Sequence, residues 1–100
     1  MDLEKIDTTY ELYDQVYFYL NQKTTENIKL YRQGLNNKKT KSEDSLAIDL
    51  IELMHKYYNK GFLLILDNVN ISKIGEIQFK NVLNLLIKEH KTLKILFSSS

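Results

Sequence analysis

A chain of 100 residues that is 43% apolar and 27% charged has the make-up of one ordinary globular domain, with room for a single modest core. Its formal net charge of +1 is far from the strong basic field that a long phosphate backbone rewards, so no nucleic acid is expected as a partner. The absence of cysteine excludes disulfides, thiolate metal sites and thiol catalysis.

The longest apolar run, FLLIL at 62–66, is too short for a membrane span. The start, MDLEKIDTTYEL, is acidic and polar, with no apolar segment behind a basic one. The expectation is therefore a cytoplasmic protein without a membrane partner. Proline is absent, and the three glycines, at 34, 61 and 75, fall where elements are expected to end.

In chain order, a helix begins near Tyr10. Residues 16–20 (VYFYL) are rich in aromatic and β-branched types and are expected to form a strand, although the same residues can continue the helix through Leu20. Thr24 or Thr25 then caps a short helix with Ile28, Tyr31 and Leu35 on one side, ending near Gly34. Residues 36–41 (NNKKTK) read as a mobile basic loop. From about 43 to 59 the 3.6-residue period predicts a helix, with Leu46, Ala47, Leu50, Leu53, Met54, Tyr57 and Tyr58 on one face. Ser42 is its N-cap, Glu43 and Asp44 suit the first turn, and Gly61 ends it.

Residues 62–67 (FLLILD) follow at once. An apolar run without alternation suits a strand covered on both faces, as in a parallel sheet between helix layers. A helix over about 74–90 places Phe79, Val82, Leu83, Leu86, Ile87 and His90 on one stripe, and 93–97 (LKILF) is a second buried strand. A helix between two such strands implies a parallel crossover. The expected fold is α/β: a small three-layer parallel sheet of about three strands flanked by helices, in one domain over 1–100.

Ligands of open parallel sheets bind beyond the carboxyl ends of the strands. That directs attention to Asp67 and Asn68 after one strand and to Ser98, Ser99 and Ser100 after the other. A carboxylate there suits Mg²⁺, a hard cation that accepts oxygen ligands and keeps part of its water shell. On spacing alone, the simpler reading is favoured, in which Asp67 and Asn68 cap the following loop and the serines end the chain. His55 and His90 lie on different helices without an acidic partner at ligand spacing, so they read as a surface residue and a helix-end residue, not a metal pair. No Ser-His-Asp order is present to support nucleophilic catalysis.

As strings, FLLILDNVN and KTLKILFSSS resemble two elements of the P-loop NTPases of the STAND class, which includes NB-ARC-type signal-transduction ATPases. The first is similar to the Walker B strand, the second, one helix later, to the sensor 1 strand. Residues 16–20 would be the family's preceding strand. The resemblance implies ATP or ADP with Mg²⁺ as cofactor, with Asp67 on the metal, Asn68 in the second acidic position and Ser98 and Ser99 flanking the γ-phosphate. It also exposes departures. No G-x-x-x-x-G-K-[ST] occurs, the lysine that neutralises the β- and γ-phosphates has no counterpart, and Ser100 stands where the family usually carries an arginine. The expectation is an incomplete nucleotide-binding core that is not catalytic and binds no nucleotide tightly alone. In the P-loop fold the missing first strand lies beside the sensor 1 strand, so 93–97 is expected at an open edge where it pairs with a second copy or another chain. The alternative is a non-enzymatic interaction module similar to STAS regulatory domains. Ser72 and Gly75 in VNISKIGEIQF loosely resemble the phosphorylatable loop of those domains, without its aspartate–serine pair. A parallel sheet with the strands that contain Val16, Phe62 and Leu93 in sequential neighbour order suits the first reading; a mixed sheet with an antiparallel member suits the second.

Overall fold

A computed structural model describes residues 1–22 and 42–99 of the chain. Helix α1 is Thr9–Gln22. Thr8 Oγ1 accepts the Glu11 amide at 3.1 Å and donates to the Glu11 carboxylate at 3.2 Å, so the hydroxyl caps one free backbone N–H of the first turn. From there the helix runs through residues 16–20, which correct the expectation of a strand. Leu12, Tyr13, Val16 and Leu20 are buried, and this spacing fits a helical face, not the alternation of a strand. Tertiary packing of that face outweighs the β-propensity of its aromatic residues. The expected short helix after Thr24 and the 36–41 loop lie outside the described residues.

Helix α2, Glu43–Tyr57, has the expected cap, with Ser42 Oγ accepting the Ser45 amide at 3.1 Å. Leu46, Ala47, Leu50, Leu53 and Met54 are buried as its periodicity predicts. Tyr57, expected on the same face, is exposed. Tyr58 leaves the helix and donates its hydroxyl to the Leu20 carbonyl at 2.8 Å, joining the ends of α1 and α2. Gly61 then turns the chain with a φ of 93°. A Cβ there would meet Thr92 at 3.1 Å, so glycine satisfies both the conformation and the close approach.

Strand β1 is Phe62–Val69. A single turn, α3 (Ile71–Ile74), leads into α4 (Glu76–Glu89), and strand β2 is Leu93–Ser99. The helix expected over about 74–90 is α4; Gly75, whose φ is 97°, separates it from the preceding turn α3. Strands β1 and β2 pair in parallel, Phe62 beside Leu93 through Leu66 beside Phe97, with an irregularity before Val69 pairs with Ser99. Asn68 sits in that irregularity with a left-handed φ of 57°, a conformation asparagine tolerates better than most residues.

The architecture is α/β, with a two-stranded parallel sheet among the described residues, not about three strands. The third position is marked by the N-terminus. Asp2 bridges Asp67 in parallel; the Asp67 amide donates to the Met1 carbonyl and the Leu3 amide to the Asp67 carbonyl, each at 2.8 Å. Leu3 is wholly buried, anchoring the segment through its side chain. Residues 1–3, not 16–20, therefore precede β1 in the sheet.

One sheet face carries the core. Leu64, Leu66, Val69 and Leu93 pack with Leu12, Val16, Leu50, Met54, Phe79 and Leu86 from the three long helices. The opposite face shows Leu63, Ile65 and Leu96 to solvent. The described residues thus form two layers, and the expectation of a strand buried on both faces is corrected. The unalternating apolar run hid an alternation of burial, because both faces of β1 are apolar although only one is covered.

Candidate functional site

The described chain brings the two predicted clusters together. Parallel pairing with a crossover helix sends β1 and β2 to the same edge, so Asp67 and Asn68 arrive beside Ser98 and Ser99. The contact is direct: the Asn68 amide donates to Ser98 Oγ at 3.2 Å. The left-handed turn at Asn68 supports that contact by interrupting the ladder and aiming the amide across to β2.

Asp67 lies within β1, not after it, because the strand continues to Val69. Its backbone N–H and C=O both pair with residues 1–3, while its side chain is exposed. A second acid, Asp2, stands beside it across the bridge. Asp2 Oδ1 accepts the Glu4 amide at 3.0 Å and the Asn68 side-chain amide at 3.4 Å. The N-terminal ammonium of Met1 donates to the Ile65 carbonyl at 3.2 Å. The sequence reading missed Asp2. A bridge of one residue leaves no periodic signal in the sequence.

The edge thus presents two carboxylates, a primary amide and two hydroxyls. These oxygens fit a hard divalent cation held through water. They lack the usual cradle of a polyphosphate: no glycine-rich loop occurs in residues 67–70 or 98–99. No group of three or more candidate metal ligands occurs among the described residues.

The histidines differ from their sequence reading in one respect. His90 is buried, packed with its ring 5.3 Å from that of His55 and edge-on to Phe62 at 5.5 Å. Thr92 Oγ1 lies 3.2 Å from His90 Nδ1. His55 is exposed, so its ring, tilted 33° to that of His90, covers the buried one from the solvent side. His90 thus closes the core where β1 and β2 begin.

Comparison of the chain with protein-family models, curated proteins and solved structures finds no match. None of the described helices is long and apolar enough to cross a membrane.

Proposed function

We propose that these 100 residues are the Walker B to sensor 1 portion of a STAND-like nucleotide-binding core, inactive alone, whose site is completed by groups from further polypeptide. The observation that carries this reading is the 3.2 Å contact from the Asn68 amide to Ser98 Oγ, which joins the two motif strings at one sheet edge. Parallel pairing of β1 with β2 adds support; the neighbour on the other side of β1 is residues 1–3, not the strand expected at 16–20, and no described strand runs antiparallel. In this reading Asp67 holds Mg²⁺ with ATP or ADP, Asn68 replaces an acid that would help activate water, and Ser98 and Ser99 approach the γ-phosphate. The phosphate loop comes from elsewhere, on a strand added at the outer edge of β2, from Leu93 to Phe97.

The test is co-expression with a strand–phosphate-loop–helix segment of STAND type. Nucleotide binding that is much tighter in the pair than in the 100 residues alone, and that Asp67→Ala weakens, is the expected result. A pair that binds nucleotide no better than the 100 residues alone would sink the reading.

A second reading, a non-enzymatic α/β interaction module, is favoured by the exposed Leu63, Ile65 and Leu96, since exposed apolar sheet surface commonly marks a partner site. It predicts partner binding that is insensitive to Mg²⁺, nucleotide and Asp67→Ala.

A further inference from the structure

The sheet face turned away from the helices has an ordered arrangement of charge. By register, Leu63 stands beside Lys94 at the amino end and Ile65 beside Leu96 in the middle. Alternation along β1 then puts Asp67 on the same face at the carboxyl end, and the bridge puts Asp2 next to it. Leu63, Ile65 and Leu96 are 51%, 47% and 59% exposed. Among the described side chains, the face therefore has an apolar centre, a cation at one end and two carboxylates at the other, with the Met1 ammonium at the margin beside Ile65.

We propose that this face is an isologous interface with a second copy of the chain, the two sheets stacked face to face with strands antiparallel. A two-fold axis in that orientation brings the apolar centres together and lays the lysine end of each protomer over the carboxylate end of the other, so each ion pair forms twice. Stacking with strands parallel would instead bring like charges together at both ends, which is disfavoured. The surface is thus complementary to itself in one orientation. Packed sheets lie about 10 Å apart, a gap that a lysine side chain from one side and an aspartate from the other can bridge.

The size of the surface sets the strength. Three aliphatic side chains and two rim ion pairs fall short of the roughly 800 Å² per partner of a standard stable interface. The dimer is therefore weak, reversible and dependent on concentration, and salt loosens it by screening the ion pairs. This interface differs from the outer edge of β2 and does not depend on nucleotide.

Sedimentation equilibrium of the whole chain, from about 10 μM to about 1 mM, spans the expected range of association. The expected result is a reversible dimer whose dissociation constant rises at least about tenfold in Leu96→Lys or Ile65→Lys, since each places a charge at the apolar centre. Both positions are exposed, and an unchanged circular-dichroism spectrum and melting temperature verify the fold. Lys94→Asp and Asp67→Lys each weaken the dimer, and the double swap restores it. A chain that stays monomeric to the highest concentration overturns the proposal. So does association that persists in Leu96→Lys, which would assign it to the β2 edge, and so does a double swap no stronger than the single ones.

Discussion

Leu3 donates its backbone N–H to the carbonyl of Asp67 at 2.8 Å, and the Leu3 side chain is wholly buried beneath that bond. One residue thus ties the start of the chain to the strand that carries the candidate site. The Asp67 amide in turn donates to Met1, so the backbone of Asp67 is satisfied on that side and the chain there cannot shift without breaking two hydrogen bonds. Asp67 is a fixed position from which an exposed carboxylate projects.

Leu3→Ala tests that anchor. Removing a fully buried leucine costs about 2–5 kcal/mol, depending on how far the surroundings collapse. Urea denaturation should show the loss, and hydrogen exchange should show the Asp67 amide losing protection before the interior amides of β1. Protection at Asp67 unchanged from the native chain would separate residues 1–3 from the sheet.

Tyr58→Phe removes the hydroxyl that the Leu20 carbonyl accepts and leaves the ring against Phe62 at 4.8 Å. The expected loss is about 1 kcal/mol, that of one hydrogen bond in a partly buried place. A wild-type denaturation midpoint would mean that water replaces the bond without cost.

The same hydroxyl predicts alkaline sensitivity. Burial, then repulsion from Tyr19, raises Tyr58 above its ordinary 10.0; burial, then Glu43 and Asp44, raises Tyr13. A folded-state pKa above the unfolded one means the folded protein holds the proton more tightly. The associated stability is therefore complete below pH 10 and falls as pH rises through the folded values. Thermal melts from neutral pH to about pH 11 should decline at the upper end, less steeply in Tyr58→Phe. A flat profile would contradict the burial of these hydroxyls.

Ser42→Ala leaves the Ser45 amide without its 3.1 Å acceptor. The expected cost is about 1 kcal/mol, with Ser42→Asp retaining most of the stability. Thermal denaturation of the two variants checks both.

Much of this was readable from the chain. The period of 43–59 located α2 and its Ser42 cap, and the strings around Asp67 and Ser98 were expected at one edge, where Asn68 and Ser98 meet. Residues 16–20 were misread because Val16, Tyr17 and Tyr19 favour strands in isolation, while the burial of Leu12, Val16 and Leu20 on one helical face decides the matter. The T-x-x-E at 8–11 was the available signal. Cover over both sheet faces was expected because apolar residues occupy both faces of β1, and sequence alone does not say which face the helices take. Asp2 escaped notice because a bridge of one residue has no period. Ile87, expected on the α4 stripe, is exposed: it falls at the margin of the face that Phe79, Val82, Leu83 and Leu86 bury.

The most direct test of the central proposal is a titration of the isotope-labelled chain with Mg·ATP, followed by backbone amide shifts. An incomplete Walker B to sensor 1 edge predicts shifts confined to Asp67, Asn68, Ser98, Ser99 and neighbouring Asp2, with a dissociation constant on the order of 1 mM or weaker. Tight binding by the 100 residues alone, or shifts that leave those residues untouched, would contradict it.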